Sequence, residues 1–339
     1  MGYRVGIVGA TGAVGQELLR VLERRRFPVA ELRLFASARS AGRRLGFAGE
    51  ELVVEPLSAA ALRGLELVLS SAGAEVARAV APAAAAAGAL VVDNSSAFRM
   101  EPAVPLVVPE INPEAARAHR GILANPNCTT IIALMAVAPL HREAALERMV
   151  VASYQAASGA GARALAELQA QLAAAVAGEP LPPPVVLPHP LAHNVIPQVD
   201  VFLEDGYTRE EHKIARETRK ILGLPELRVS ATCVRVPVPR AHSVALHLEF
   251  REPLLPERAR AILAGAPGVE LVDEPQAGRY PMPRSASGCD LVQVGRIRAD
   301  ASHPRGLVLW AVGDQLLKGA ALNAVQIAEL VLALEPEPA

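Results

Sequence analysis

The chain has 339 residues, of which 51% are hydrophobic and 20% charged, so it can build more than one hydrophobic core and we predict two domains. The formal net charge of −1 provides no basic field for a nucleic acid, and no apolar run reaches the roughly 20 residues of a membrane span. The sequence starts with a strand pattern and not with a signal peptide. We therefore expect a cytoplasmic protein with no nucleic-acid and no membrane partner.

The first element in the chain is a predicted strand over residues 4–8, which a glycine-rich segment joins to a predicted helix over residues 16–25. Glycines allow a tight turn and a close approach of the backbone to a pyrophosphate, which then rests on the helix N-terminus. The GxxGxxG spacing is a variant of the usual dinucleotide motif. The candidate cofactor-binding residues of this segment are Gly9, Thr11, Gly12, Ala13 and Val14.

A second predicted strand, residues 31–36, leads into a segment that contains Ser37, Arg39 and Ser40. An NAD enzyme usually places an acidic residue here for the ribose 2′-hydroxyl, and this chain has none. Hydroxyls and arginines suit a 2′-phosphate, so the segment favours NADP as the cofactor. The alternative interpretation is a solvated basic loop.

Strands and helices continue to alternate, with a strand at residues 65–69, a helix at about 75–87 and a strand from Leu90. This order predicts an α/β fold with a Rossmann-type, doubly wound parallel sheet. Ligands of such sheets bind beyond the carboxyl ends of the strands. Ser71, Gly73 and Asn94 lie at such ends and are further candidates for cofactor binding.

Asn125–Thr130 places Cys128 where a loop ends and a helix begins. Free N–H groups and the positive end of a helix dipole lower a cysteine pKa, and the thiolate is the nucleophilic form. From this motif alone, a small buried core cysteine is an equal alternative. Cys128, Cys233 and Cys289 are too widely spaced for a zinc site or a disulfide framework, so we expect three reduced cysteines and no metal.

After this helix we predict a strand over residues 149–154 that ends at Gln155, a helix to about residue 177, and a proline-rich arm over residues 178–197. Thr208 with Glu211 forms a predicted capping box at the start of a helix that runs to Leu222.

The strands predicted over residues 228–238 and 243–249 would form a hairpin, with Arg235 and His242 on or beside it. A last strand, residues 308–311, precedes a helix to about residue 334, which we expect to pack on the first domain.

Six segments, in this order, resemble the signatures of the aspartate-β-semialdehyde dehydrogenase family: Gly9–Gly15, Asn125–Thr130, Ser153–Gly161, Glu210–Lys213, Arg235–His242 and Lys318–Glu329. The resemblance implies an NADP-binding domain, residues 1–128, completed by a C-terminal helix at 318–335. An α+β catalytic and dimerisation domain, residues 129–317, would complete the fold.

The activity implied by the resemblance is the reversible, NADPH-dependent conversion of L-4-aspartyl phosphate to L-aspartate-4-semialdehyde and phosphate through a cysteine thioester. It serves the biosynthesis of lysine through diaminopimelate, and of threonine, methionine and isoleucine. A homodimer is expected.

The same resemblance assigns roles to individual residues. Cys128 would be the nucleophile, Gln155 would orient the acyl intermediate, and His242 would be the general acid/base. The substrate would be held at its amino-acid end by Arg235 and Glu210, and at its phosphate by Arg99 and Lys213. Ser158, Gly159 and Gln315 would be additional cofactor contacts, and Gln315 stands where the family usually has asparagine.

Two rival interpretations remain. N-acetyl-γ-glutamyl-phosphate reductase shares the fold and the thioester chemistry, but we would expect a glycine before its cysteine, where this chain has Asn127. The second rival is a non-catalytic regulator that senses NADP and buries Cys128. The joint presence of Cys128, Gln155, Arg235 and His242 argues against it.

Overall fold

The structure, a computed structural model, describes residues 2–334 and divides the chain into two compact units. The first lies within Met1–Asn127 and Gly319–Ala339, and the second spans Cys128–Lys318. Cys128 and Lys318 thus belong to the second unit, whereas the division expected from the sequence placed both in the first. Residue 335 of the expected C-terminal helix lies outside the described residues.

The described residues contain α-helices in both halves of the chain. In chain order they are α1 (Ala13–Arg24), α2 (Ala74–Ala86), α3 (Cys128–Ala144), α4 (Ala162–Ala177), α5 (Arg209–Leu222), α6 (Pro256–Ala264), α7 (Pro283–Ala286) and α8 (Leu322–Leu334). Within residues 2–334, no helix has the length and apolar character needed to cross a membrane.

The strands form one sheet in each unit. Those of the first unit are β1 (Tyr3–Val8), β2 (Val29–Ala36), β3 (Arg44–Phe47), β4 (Glu50–Pro56), β5 (Leu67–Ser70), β6 (Leu90–Asp93) and β7 (Ile122–Ala124). Those of the second unit are β8 (Leu146–Gln155), β9 (Arg228–Arg235), β10 (His242–Phe250), β11 (Val269–Leu271), β12 (Val292–Ala299) and β13 (Gly306–Gly313).

The sheet of the first unit has the strand order β3-β4-β2-β1-β5-β6-β7. All neighbouring pairs are parallel except β3 with β4. The interior strands β5 and β6 are buried at every position, as expected where helices cover both faces of a parallel sheet. The strand order reverses between β1 and β5, which confirms the predicted doubly wound sheet and places the switch point beside the glycine-rich segment.

Helix α8 belongs to the first unit, which confirms the predicted return of the C-terminal helix. Its buried residue Asn323 donates hydrogen bonds from Nδ2 to the carbonyl oxygen of Val107 at 3.1 Å and to Oδ1 of Asn125 at 2.7 Å. Glu329 of the same helix forms an ion pair with Arg25 at 2.6 Å. These contacts tie residues that are about 200 to 300 positions apart in sequence into one folded unit.

The second unit contains a mixed sheet with the order β11-β12-β13-β10-β8-β9. Helix α3 packs its apolar residues against this sheet, and the side chains of Ile131 and Leu134 are fully buried. The sheet and helix form the predicted α+β arrangement.

The predicted hairpin of β9 and β10 is wrong. Strand β8 lies between them, antiparallel to β10 and parallel to β9, so residues 236–241 are a crossover connection. The local pattern of two apolar runs around a turn cannot show that a third strand, formed earlier in the chain, occupies the position between them. The consequence is that the ends of β8 and β9 lie side by side, with Gln155 opposite Arg235.

The predicted capping box of α5 is confirmed. The Thr208 hydroxyl accepts a hydrogen bond from the backbone N–H of Glu211, and the Glu211 carboxylate accepts one from the backbone N–H of Thr208 at 2.6 Å. The other oxygen of Glu211 accepts the N–H of Cys233 in β9 at 2.8 Å. Because that carboxylate bonds to both elements, the first turn of α5 is fixed against the end of β9.

Candidate active site

The glycine-rich segment of the first unit is shaped by close backbone contacts. Gly9 has φ +82°, a conformation that side chains with a Cβ rarely adopt. A Cβ on Gly15 would lie 2.7 Å from the Cα of Ala10, so only glycine lets the first turn of α1 pack against the loop. The Ser71 hydroxyl donates to the carbonyl oxygen of Val8 at 3.1 Å and closes the other side of the segment.

The N-terminus of α1 has the features of an anion site. Its N-cap is Gly12, no side chain among residues 2–334 caps the first turn, and no acidic residue lies in that turn. The N–H groups and the helix dipole at this end favour a negatively charged group. Residues 9–15 therefore fit the pyrophosphate of a dinucleotide.

The predicted 2′-phosphate segment lies directly after β2. Ser37 precedes a short 3₁₀ turn, Ala38–Ser40, and the side chain of Arg39 is exposed to solvent. An exposed guanidinium can approach a ligand without first being removed from a buried ion pair.

The carboxyl ends of β5 and β6 carry a buried polar group. Nδ2 of Asn94 donates to the carbonyl oxygen of Ser70 at 2.9 Å, while its buried Oδ1 has no hydrogen-bond partner within residues 2–334. Burial raises the pKa of Asp93, and its hydrogen bonds with Ser95 oppose that shift. Gly73, one of the predicted cofactor residues, is the N-cap of α2.

Arg99, the predicted phosphate ligand of the first unit, is buried and held by backbone oxygens. Its Nε donates to the carbonyl oxygen of Asn125 at 2.9 Å and its Nη2 to that of Asn94 at 2.8 Å. Lys213, the other predicted phosphate ligand, belongs to the second unit. Their joint action on one phosphate stays a prediction.

Cys128 is the first residue of α3 and is partly exposed. The helix has no acidic residue in its first turn, so its dipole stabilises negative charge on the sulfur. Burial lowers the pKa of Arg235, and a thiolate at Cys128 opposes that shift, so the two side chains lie within electrostatic reach of each other. Cys128 is therefore not a fully buried core cysteine, and its role as the nucleophile stays a prediction.

His242 begins β10 and is fully buried. Its Nδ1 accepts a hydrogen bond from the backbone N–H of Ala156 at 3.1 Å, which assigns the proton of the neutral ring to Nε2. That Nε2 has no hydrogen-bond partner in the described part of the chain. Burial, followed by the charge of Arg235, lowers the pKa of His242 well below its usual value.

Arg235 ends β9 and is 5% exposed. Its Nη1 donates to the carbonyl oxygen of Ala156 at 2.7 Å, and its Nε has no partner among residues 2–334. Burial lowers the pKa of Arg235, although Glu210 and Cys128 oppose the shift. A Cβ on Gly159 would lie 2.8 Å from Cε1 of His242 and 2.9 Å from Nη1 of Arg235, so glycine is required beside this pair.

Gln155 and Glu210 are in direct contact. Nε2 of Gln155 donates to Oε1 of Glu210 at 3.3 Å and to the Ser153 hydroxyl at 3.3 Å. Oε2 of Glu210 pairs with Nζ of Lys213 at 3.1 Å, and Lys213 also pairs with Asp200 at 2.7 Å. Burial lowers the pKa of Lys213, but Glu210 and Asp200 outweigh it and the net pKa is raised.

Ser158 and Gln315 form a hydrogen-bonded pair. Nε2 of Gln315 donates to the Ser158 hydroxyl at 2.6 Å, and that hydroxyl donates to the carbonyl oxygen of Pro239 at 2.5 Å. These contacts lie within the second unit and involve the connection before His242. The cofactor contacts expected for Ser158, Gly159 and Gln315 stay predictions.

Sequence reasoning missed several residues of this site. Ser153 holds Gln155, Asp200 holds Lys213, and Ala156 supplies backbone groups to both His242 and Arg235. Ser153 stands two residues before Gln155 on the same strand, so side-chain alternation could have indicated it. Asp200 follows the proline-rich arm, where no periodic pattern points to its partner. Residues 2–334 contain no cluster of His, Cys, Asp and Glu side chains that could hold a metal ion.

Comparisons with known proteins agree over nearly the whole chain. Residues 4–119 match the family described as semialdehyde dehydrogenase, NAD binding domain, and residues 137–318 match semialdehyde dehydrogenase, dimerisation domain. An aspartate-semialdehyde dehydrogenase of Synechocystis is 54% identical over 97% of each chain, and one of Aquifex aeolicus is 50% identical over 98% of each. A crystal structure of aspartate semialdehyde dehydrogenase II from Vibrio cholerae, complexed with ASA, has a TM-score of 0.94 and 43% identity, with 98% of this chain and 99% of that chain covered.

Proposed function

The chain belongs to the aspartate-semialdehyde dehydrogenase family, and from that premise we propose that it interconverts L-4-aspartyl phosphate and L-aspartate-4-semialdehyde, with NADP as cofactor. The observation that carries the proposal is the group of side chains around His242 and Arg235 in the second unit. Both residues are buried, and each has a polar atom without a partner in the described residues. Buried polar atoms without partners are costly, so they point to a ligand that satisfies them.

Cys128 is the nucleophile of the proposed reaction. Its thiolate attacks the acyl carbon of aspartyl phosphate, the C–S bond forms, the bond from carbon to the phosphate oxygen breaks, and phosphate leaves. The product is a thioester on Cys128, which accepts a hydride more readily than a carboxylate. The N-terminal turn of α3 stabilises the negative charge on the attacking sulfur.

The glycine-rich segment and the N-terminus of α1 would hold the cofactor pyrophosphate, and Ser37, Arg39 and Ser40 its 2′-phosphate. The close backbone packing at Gly9 and Gly15 supports this fit, as do the uncapped first turn of α1 and the exposed Arg39. Ser71, Gly73 and Asn94 lie at strand ends of the same sheet and would contact the cofactor there. When bound, NADPH supplies the hydride that reduces the thioester.

His242 acts on the substrate through Nε2. In the neutral ring this nitrogen carries the proton, because Nδ1 accepts the N–H of Ala156, and it can donate to the oxygen that becomes negative on reduction. Proton transfer from the ring, the role that the family resemblance implies, requires protonation of Nδ1 and loss of the Ala156 contact. The acid/base step is therefore coupled to movement of the ring at this contact.

The amino-acid end of the substrate is assigned to Arg235 and Glu210. Nε of Arg235 is available for a carboxylate, and Glu210 offers negative charge to an ammonium group. A free ammonium favours aspartyl phosphate over an N-acetylated substrate, whose amide carries no positive charge. Lys213, partly exposed and paired with Glu210 and Asp200, is assigned with Arg99 to the phosphate.

A match to a dimerisation domain over residues 137–318 supports a homodimer. The same family assignment supports a role in the biosynthesis of lysine, threonine, methionine and isoleucine.

The direct test measures the reduction of NADP by absorbance, with purified protein, L-aspartate-4-semialdehyde and phosphate. A parallel reaction contains N-acetylglutamate semialdehyde in place of the first substrate. Phosphate-dependent turnover of the first substrate alone is expected. Turnover of the second substrate instead would assign the chain to the rival reductase chemistry. Absence of both activities in folded protein that still binds NADP would favour the non-catalytic regulator.

A further inference from the structure

The connection before His242 has a backbone conformation that needs support. Residues 236–241 join β9 to β10, and Ala241 has φ +70°, which is unfavourable for a residue with a Cβ. His242 follows immediately and is fully buried. A shift of this connection would therefore move the imidazole.

Gln315 holds this connection with both ends of its amide. Its Oε1 accepts the backbone N–H of Ala241 at 2.8 Å, and its Nε2 donates to the Ser158 hydroxyl at 2.6 Å. The Ser158 hydroxyl in turn donates to the carbonyl oxygen of Pro239 at 2.5 Å. The backbone donor at Ala241 fixes the orientation of the amide, so both hydrogen bonds require a side chain of this length.

Neighbouring contacts hold the same connection. The carboxylate of Asp314 pairs with Nε of Arg240 at 2.5 Å and accepts the backbone N–H of Leu316 at 2.9 Å. The backbone N–H groups of Ala157 and Ser158 donate to the carbonyl oxygens of Val238 and Pro239. The connection is thereby fixed on one side to residues 314–315 and on the other to residues 156–158, and Ala156 bonds to the His242 ring.

We infer that Gln315 is a positioning residue for His242, acting with Ser158 through the backbone of residues 239–241. This inference rests on the proposed function for the reaction that His242 serves. It differs from the cofactor contact expected of Gln315, because the hydrogen bonds that Gln315 makes here restrain the catalytic imidazole. Glutamine at this position reaches both partners, whereas asparagine is shorter by one carbon–carbon bond, roughly 1.5 Å.

The test compares Gln315→Asn with Gln293→Asn. Gln293 is also buried and also bonds through both ends of its amide, to Ser285 and Glu270, but it lies outside the site. For Gln315→Asn we expect kcat to fall about 10- to 100-fold, because a catalytic group misplaced by about 1 Å loses that much. The Kd for NADP, measured by fluorescence titration, should stay within about twofold of the wild-type value. Gln293→Asn should leave kcat and the Kd unchanged.

The pH profile provides a readout that lost stability would not move. His242 faces the guanidinium of Arg235, which in turn faces Glu210 and Cys128, and burial keeps the ring neutral. Looser packing in Gln315→Asn should bring water to the ring. The acidic limb of the kcat profile should then move to higher pH, toward the ordinary histidine value of about 6.5. The same limb should be unmoved in Gln293→Asn.

Two further measurements separate this inference from the proposed function. NMR titration of the His242 ring in the free protein needs no activity, so a shifted titration in Gln315→Asn supports the positioning role even if aspartate semialdehyde is not the substrate. The double variant Ser158→Ala, Gln315→Asn should lose much less activation free energy, calculated from kcat, than the sum of the losses in the two single variants. The reason is that both substitutions break the same set of contacts. An unchanged His242 titration, or a weakened Kd for NADP with kcat intact, would overturn the inference.

Discussion

The two units build their candidate sites in different ways. In the first, the cofactor loop is formed by neighbouring residues, and its shape depends on contacts between positions 9 and 15. In the second, the site takes Cys128 from α3, Gln155 from β8, Glu210 from α5, Arg235 from β9 and His242 from β10. A local motif can thus specify a nucleotide-binding loop, whereas the candidate catalytic residues are brought together only by the register and order of a whole sheet.

The largest effect is expected from Cys128→Ala, which should abolish catalysis in the second unit without affecting cofactor binding by the first. Turnover of aspartate semialdehyde should fall at least about 1,000-fold, because no other side chain replaces the nucleophile. Binding of NADPH, measured by fluorescence, should be nearly intact. Cys289 is also a partly exposed cysteine of the second unit, so Cys289→Ala is the matched control and should retain activity. Parallel loss of binding and turnover in Cys128→Ala would indicate misfolding and remove the distinction.

Gly15→Ala should have the converse effect: it should weaken cofactor binding by the first unit and leave the second unit unchanged. The new Cβ would press on Ala10, displace the loop from α1, and weaken NADP binding at least about 10-fold. Gly46→Ala is the control, since a Cβ there meets no atom within 4 Å. The rate of Cys128 alkylation by iodoacetamide reports on the second unit and should be unchanged in both. Normal NADP affinity in Gly15→Ala would show that the loop does not hold the cofactor.

Gly159→Ala tests the packing around His242 and Arg235 in the second unit. Its Cβ would collide with both His242 and Arg235, so kcat/KM should fall about 10- to 100-fold through displacement of the imidazole and the guanidinium. NADP affinity, measured as for the other variants, should stay near the wild-type value. Weaker NADP binding with unchanged catalysis would instead support the cofactor contact expected from the sequence.

The smallest predicted effect concerns stability and pH. The folded-state pKa of His242 is below the unfolded value, so its neutral form stabilises the fold above about pH 6.5, and that contribution is lost as pH falls below it. Between pH 6.5 and the folded pKa, the loss is at most about 1.4 kcal/mol per pH unit. Urea unfolding at several pH values should show a weaker pH dependence for His242→Asn. An identical dependence in both proteins would contradict a neutral buried His242.

The features that could be predicted from the sequence are those formed by residues close together in the chain, in either unit. The strand, glycine turn and helix at residues 3–24 involve neighbours in the chain, as does the capping box at Thr208 and Glu211, and the structure confirms both. The position of Cys128 at the start of α3 could be predicted for the same reason.

Contacts between residues that lie far apart in the chain could not be predicted from the sequence. The placement of β8 between β9 and β10 depends on a strand formed some 80 residues earlier. The pairing of Ser158 with Gln315 joins residues 157 positions apart, and nothing in either local sequence indicates the other. The β3 and β4 pair was missed because Gly46, Gly49 and several charged residues interrupt the alternation expected of strands.

Detection of the acyl enzyme tests the role of Cys128 most directly. Wild-type protein is incubated with L-aspartate-4-semialdehyde and NADP in the absence of phosphate, quenched in acid, digested and analysed by mass spectrometry. We expect one aspartyl group in thioester linkage on the peptide that contains Cys128, and loss of that group when phosphate is added before the quench. NADP reduction with no adduct on Cys128, or an adduct on Cys233 or Cys289 instead, would contradict the assignment of Cys128 as the nucleophile.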